Sequence, residues 1–539
     1  MQPFSYMLFF ILVSILFPNN FKYEEGDWFT LSNPESINSI TSTNDEIIFC
    51  SDNGIFKYNM VTSSFNYQEE YLREFDNSKS LIVHYDDYRD YLWYLNENSL
   101  NYKPRISSFW RKIDFYEINL STYRNIINIG SDYNYIYLDL GNTYKILNPI
   151  TGKIIEEQDL VINIDNINWS SSINNNYNNF DLTKYYSFEG YNVVSNNLIN
   201  NNGINLNVTA IFKDKYHDLW VGTDKGEIFY CDSKMNSIKK IKSIPLITDI
   251  NMSYYDEYGN WWFSSNDNVI INEKISIGDE SIFFSRWIEN ENEWINYTNR
   301  NFRHIFSRDI SSFERLDNWL YIGTTKGLII YEINTKKSFL IDTKKGLLSN
   351  EVNDIVYLNN NIYIATNNGI NILSTFGNIL LSIDIFNCFN NSNIYDFNIN
   401  EDKFIISSEL GLFEYIYDLN KIDLITEKKY LKAFINKDKD FILSRRNKIF
   451  KITEEDRQLL ISLDKIKDVC FCNNYLWINN INKSILFNLN NNKSFSYYQS
   501  DGIIGSVINH IGCDDSWVWF STNKGISMYN WSKYHNNER

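Results

Sequence analysis

The sequence predicts an all-β chain: two β-propellers in tandem, built from about 12 four-stranded blades of ~42 residues. Three observations carry that prediction. One strand–turn–strand phrase recurs, as "LWVGTDKGEIFYCD" at Leu219–Asp232, "LYIGTTKGLIIYEI" at Leu320–Ile333 and "VWFSTNKGISMYN" at Val518–Asn530. Its spacing is regular, with Gly327, Gly369 and Gly411 standing 42 residues apart. The rest of the chain is short runs of Ile, Val, Tyr, Phe and Trp bounded by turn residues, with no long segment of helical periodicity.

The elements follow in chain order. Met7–Phe17 is an apolar run of 11 residues. A membrane helix takes about 20, whereas the core of a secretion signal takes about 7–15. Residues 1–22 are therefore expected to be a signal peptide cut near Pro18–Lys22, although no Lys or Arg precedes the run and no A-x-A follows it. An uncleaved anchor is the alternative. Aligned on the glycine of the repeat, the units then end at Gly54, Ser99, Thr143, Gly226, Asn268, Gly327, Gly369, Gly411, Lys448, Lys483 and Gly525. The step from Thr143 to Gly226 is close to twice the period, which implies one degenerate unit within about 150–205.

Each unit has one internal order. An alternating run such as "EVNDIVYL" leads into a polar turn, then a Trp- or Tyr-rich run, a short turn and a further apolar run. The glycine suits the left-handed position of a tight hairpin. Thr143, Lys448 and Lys483 at that position predict altered turns. The position of Gly222, Gly323, Ala365, Ser264, Ser407 and Ser521 stays small, as the close approach of a neighbouring sheet requires. Apolar residues occupy both parities of the Trp strand, the pattern of a sheet covered on both faces.

Rings typically carry about 4–8 blades, so the units are expected to divide into two. The longest gap between recognisable neighbours runs from Asn268 to Gly327, and "NEWINYTNRNFRHI" within it echoes "GDWFTLSNPESINSI" at the start of the mature chain. The expected domains are 23–288 and 289–539, with six units each; seven and five is the alternative. Trp28–Leu31 is expected to close the last blade of its own ring.

Composition narrows the function. A net charge of −17 with no basic stripe, only the pairs Lys239-Lys240 and Arg445-Arg446, excludes nucleic acid as a partner. The six cysteines contain no C-x-x-C pair, and Cys470 and Cys472 point to one face of a strand, so they read as small buried hydrophobes. Among the five histidines, His84, His217, His304, His510 and His535, none is spaced as a metal ligand pair. His217 reads as a solvated turn residue and His510 as a satisfied core residue. No nucleophile-elbow, Walker or zincin motif is present.

Acids cluster at Asp86, Asp87 and Asp90, at Asp256 and Glu257, and at Asp514 and Asp515, always at the same turn of the repeat. Turn chemistry explains them better than a cation site does. Trp93, Trp220, Trp262, Trp477 and Trp519 hold one register and read as core between sheets. Trp28, Trp110, Trp169, Trp287 and Trp294 fall outside it and are the better candidates for surface contacts. No cofactor, metal or catalytic residue is assigned. Function is expected in the segments that fail to repeat, 150–205 and 270–315.

The pattern of "KKGLLSNEVNDIVYLNNNIYIATNNGINIL" (Lys344–Leu373) and of "DGIIGSVINHIGCDDSWVWFSTNKGISMYN" (Asp501–Asn530) resembles the repeat of the two-component regulator propellers, the periplasmic sensor modules of hybrid histidine kinases. Paired-propeller accessory proteins of type IX secretion have similar repeats. The resemblance covers nearly all the mature chain but includes no kinase output module. It implies a non-catalytic, exported binding or scaffolding module for a protein partner or small ligand, in the periplasm, outer envelope or outside, with no membrane span after signal removal. A propeller enzyme acting on glycans, a lyase or hydrolase, is the alternative.

Overall fold

The computed structural model describes residues 27–535 except 63, 67–78, 108–109, 156–165, 173–181, 183–185, 188–190, 195–196, 201–204, 233–236, 242–244, 246, 267–269, 273–279, 292, 301, 303–308, 375–378, 382–383, 401–402, 437–439 and 454–455. The expected signal segment, the turn at Asn268 and His304 lie outside these residues.

The regular secondary structure of the described chain is nearly all β, arranged as many small antiparallel sheets in a propeller-like series. The sheets match the aligned units one to one. In all but one, the alternating run is the first strand, the Trp-rich run the second and the apolar run after the turn the third, as in Ile310–Leu316, Trp319–Thr324 and Gly327–Glu332; beside Asn260–Ser265 the third place is taken by Glu280–Ile288. A fourth strand, here Lys337–Ile341, completes the sheet on its outer side.

The glycine turn is tighter than a three-residue loop. Thr324 pairs directly with Gly327, whose φ is 130°. The Thr324 hydroxyl donates to the Gly327 carbonyl at 2.8 Å and accepts from Lys326 N at 3.1 Å. The same hydroxyl-to-carbonyl bond recurs from Ser51 to Gly54, Thr366 to Gly369, Ser408 to Gly411 and Thr522 to Gly525. At Gly226 the loop is one residue longer, and Thr223 reaches Glu227 instead. Thr143, Lys448 and Lys483 do have altered turns, none of them with a positive φ, and Gly141 takes the left-handed position in the first.

The first strands form the inner layer. Ile250–Tyr255 packs on Ile310–Leu316, which packs on Val352–Leu358, then Ile394–Asn400, then Lys432–Ile435. Lys432 reaches Asp468 on the strand Asp468–Cys472. That strand packs on Ile508–Cys513, which returns to Ile250–Tyr255 and closes the series. The chain's first described strand, Trp28–Leu31, pairs with Gly525–Tyr529 and supplies the fourth strand of the sheet that ends the series. It therefore completes a sheet of the C-terminal half, not one of its sequence neighbours.

The sheets between 37 and 240 form a second group. Ile37–Ser42 packs on Ser80–Asp86 and on Asn205–Lys213, and Ser80–Asp86 packs on Asn128–Ser131. The expected degenerate unit at 150–205 makes no sheet of its own among the described residues. Its strands extend existing ones: Asn168–Trp169 pairs with Asn128–Ser131, Ser171–Ser172 with Ile37–Ser42, and the hairpin Tyr191–Val194/Asn197–Asn200 with Asn205–Lys213. The position 288/289, expected as a domain boundary, falls between Glu280–Ile288 and Glu293–Thr298, which pair with each other in one sheet.

Cores sit between adjacent sheets. Trp93, Trp220, Trp262, Trp477 and Trp519 are buried there, as their register predicts. A Cβ on Gly222 would collide with Ile37 of the next sheet, and one on Gly323 would lie 2.9 Å from Val352. Cys472 is bonded to Cys513 across two sheets, which corrects the reading of all the cysteines as simple hydrophobes; Cys50 and Cys231 are buried and free.

Candidate functional site

A cavity of about 400 Å³ opens where the inner strands of the 37–240 group end. Ile37–Ser42 and its turn contribute Thr41, Ser42, Thr43 and Asn44. Ser80–Asp86 and its turn contribute Tyr85 and Asp87, and Asn205–Lys213 contributes the wall from Ile211 to Lys215. Asn168 and Trp169 come from the segment that fails to repeat. The site thus draws on one of the two stretches expected to carry function.

Trp169 is a half-buried aromatic wall. It pairs with Gly130, where a Cβ would lie 2.6 Å from the indole, so only glycine leaves the ring its place. Tyr144 flanks the indole at 5.9 Å between ring centroids. Burial and then the neighbouring Asp90 push the Tyr85 phenol up to about 12, so it stays protonated and donates to Asp90 at 3.0 Å.

Of the two acids that line the cavity, Asp214 is committed to the framework and Asp87 is exposed. Asp214 accepts from the backbone of Tyr216 and Asp218 at 2.9 Å each and from the Trp220 indole at 3.0 Å. Asp87 accepts from Asn168 at 3.1 Å. Lys215 reaches Asn44 at 2.5 Å, and Lys213 is exposed at the rim.

The other acid clusters act as the turn reading expects. Asp86 accepts from Tyr88 N and pairs with Arg89; Asp514 accepts from Ser516 N and Trp517 N. Asp256 binds Tyr258 N, Asn260, the Trp262 indole at 2.8 Å and Arg315 at 2.6 Å. These partners outweigh the effect of burial and hold its carboxyl below the usual range. Glu257 and Asp515 are exposed. Among the described residues no group of three or more His, Cys, Asp or Glu is placed to hold a metal ion.

The remaining tryptophans outside the register serve packing. Trp28 stacks on Tyr529 at 4.5 Å, Trp110 lies under the Lys103 ammonium, and Trp287 and Trp294 stack on each other at 6.1 Å. His217 is an exposed turn residue with φ 69°. His510 meets Ser253 at 3.2 Å and lies 3.7 Å from Asp468.

Sequence reading missed a polar file along the inner strands of the other group. Inner strands are sheet edges, and their outward N–H groups need acceptors. Side chains of the preceding sheet supply them: Asp354 accepts from Phe397 N at 2.9 Å, Asp468 from Ile511 N at 3.0 Å and Glu314 from Tyr357 N at 3.3 Å. Ser39 and Thr41 do the same for Val83 N and Tyr85 N in the first group. Burial raises Glu314 to about 8 and Asp354 to about 6, and raises Asp396 well above its usual value. Asp468 is lowered despite burial, because Lys432 sits 2.8 Å away. The signal for most of this file was the equivalent position Asp354, Asp396, Lys432 and His510, opposite a small residue of the second strand, and Asp468, opposite Asn479; Glu314 lies two residues further on, opposite Tyr321.

Compared with known proteins, no family model matches the chain and no curated protein matches it. Solved structures do. The extracellular domain of the putative hybrid two component system BT4673 from B. thetaiotaomicron is 14% identical, with 92% of this chain and 75% of that one covered and a TM-score of 0.42. The extracellular domain of the hybrid system BT3049 from the same organism is 13% identical, with 96% and 78% covered and a TM-score of 0.41. PorZ, a surface component of the type-IX secretion system of Porphyromonas gingivalis, is 10% identical, with 94% and 87% covered and a TM-score of 0.45. Both kinds of protein are those whose repeats this sequence resembles.

Proposed function

We propose that the chain is a non-catalytic, extracytoplasmic binding or scaffolding module that takes a small ligand or a segment of a protein partner in the Trp169 cavity. The observation that carries this reading is the use of the cavity's acids. Asp214 spends its carboxylate on two backbone N–H groups and an indole, and Asp87 spends an oxygen on Asn168. An acid–base enzyme keeps such groups available to substrate. What faces the cavity instead is an indole, a run of hydroxyl residues and a rim ammonium, which is the composition of a recognition site.

Export is supported by the Cys472–Cys513 bond, because such bonds persist in oxidising compartments, and by the apolar run Met7–Phe17. In this reading the sheets from 250 onward, with Trp28–Leu31, make one propeller of seven blades. The sheets between 37 and 240 make a smaller one of four, so the domain boundary lies in 241–249 rather than at 288/289.

The test is a ligand panel of peptides, glycans and small metabolites read by thermal shift on the mature chain and on Trp169→Ala. A ligand that raises the melting temperature of the wild type and not of the variant supports the reading. Multiple-turnover conversion of a glycan, abolished by Asp87→Asn, overturns it in favour of the glycan lyase or hydrolase.

A further inference from the structure

Three sulfurs meet at one point on the inner layer. Cys470 and Cys472 share one face of the strand Asp468–Cys472, and Cys513 ends the neighbouring inner strand Ile508–Cys513. Cys513 is bonded to Cys472, and the Cys470 thiol lies 2.9 Å from the same Cys513 sulfur. Cys472 is buried among Tyr475, Trp477 and Trp531, whereas Cys470 and Cys513 are only partly buried. A thiol in contact with one sulfur of a disulfide is the arrangement from which thiol–disulfide exchange proceeds.

The geometry points to a thiol–disulfide exchange site in which Cys513 pairs alternately with Cys472 and Cys470. The Cys470 thiol loses its proton to solvent and its thiolate attacks Cys513 Sγ. A Cys470–Cys513 bond forms, the Cys472–Cys513 bond breaks, and Cys472 leaves as a thiolate that takes up a proton. No oxidant is consumed, because one disulfide and one thiol are present before and after. The cross-link slides by two residues along one strand, roughly 6.6 Å of rise. It ties the sheet completed by Trp28–Leu31 to its neighbour in either register. Burial, and then the adjacent Asp468, push the Cys470 thiol well above its ordinary value, against the opposing pull of the Lys432 ammonium. Exchange is therefore slow near neutrality and accelerates with pH, by about tenfold per unit while the thiol is mostly protonated.

The test uses the full mature chain in a Cys388→Ser background, since Cys388 is the exposed free thiol among the described residues. After incubation at pH 6 and at pH 9 the protein is acid-quenched, alkylated and digested. Fragmentation on either side of Phe471 then distinguishes the two bonds. The expected result is both cross-links at both pH values, reaching a constant ratio on the order of a thousandfold faster at pH 9. A single Cys472–Cys513 bond at both pH values overturns the proposal. Cys472→Ser treated with oxidised glutathione gives a second reading: glutathione takes up the two electrons, and Cys470 and Cys513 are expected to resist alkylation as a new disulfide. Stoichiometric alkylation of both, in a variant whose melting shows it folded, overturns the proposal as well. The wild-type measurement decides alone should the variant not fold. Neither arm touches the Trp169 cavity, so the result is independent of what that cavity binds.

Discussion

At the scale of single residues, two carboxylates show how place in the repeat decides role. Glu314, on an inner strand, has its carboxyl raised by burial from 4.5 to about 8. A raised carboxyl pKa means that the folded state holds the proton more tightly. Between about pH 5 and pH 8 the unfolded chain releases that proton and the folded chain does not, at up to ~1.4 kcal/mol per pH unit. Glu314→Gln removes the penalty. The variant is expected to match the wild type at pH 4 and to melt higher from pH 7 upward, with the difference widening to pH 8, by calorimetry across that range. Asp256 has the opposite sign: its contribution is present above the ordinary carboxylate range and is lost on acidification. Its pairing with Arg315 and the Trp262 indole is buried, so Asp256→Ala leaves the indole and the Arg315 Nη1 without that acceptor and is expected to cost about 3–5 kcal/mol in denaturant titration. The turn acids were legible from sequence because Asp caps its own turn. Glu314, Asp354 and Asp468 were not, because their task is to satisfy the N–H groups of a different sheet; only a polar position recurring from repeat to repeat marks Asp354 and Asp468, and nothing marks Glu314.

At the scale of elements, the hairpin glycine was legible and the hydroxyl before it was not. The T-x-x-G spacing recurs because the Thr oxygen bonds the glycine carbonyl, a link that closes the turn over two residues. The glycines are not equivalent. Gly525 has φ 131°, and a Cβ there would run into the Leu31 carbonyl and the Ser32 backbone. Gly259 has φ 76°, with nothing nearer than 3.7 Å. Gly259→Ala carries only the backbone penalty, about 1 kcal/mol. Gly525→Ala adds displacement of the strand Trp28–Leu31 and is expected to cost several times as much in chemical denaturation. Equal losses at the two sites would mean that the N-terminal strand contributes nothing at Gly525. The segment 150–205 misled for a related reason. Its length fits one more unit, but length alone does not say whether strands pair among themselves or add to edges that lie near in space.

At the scale of the whole molecule, the repeats were legible and the partner of the first described strand was not, because every unit carries the same local code and that strand pairs near the other end of the chain. Trp28 stacks on Tyr529, and Asp27 binds Lys533 at 2.7 Å across 506 residues of sequence. The two halves of that contact are too far apart in sequence to leave a periodic trace. The consequence is testable with Trp28→Ala, which removes the stack and is expected to cost about 3 kcal/mol. If the sheets from 250 onward unfold as one unit closed by Trp28–Leu31, amide hydrogen exchange should rise together in 518–529 and in 250–288, which pack on one another. Protection in 80–139 should be unchanged. A division at 288/289 makes the contrary prediction: 250–288 would then keep the protection of the N-terminal sheets. The exchange pattern of 250–288 thus decides which ring owns that sheet, and with it whether the chain is two successive propellers or one ring whose closing strand precedes the other.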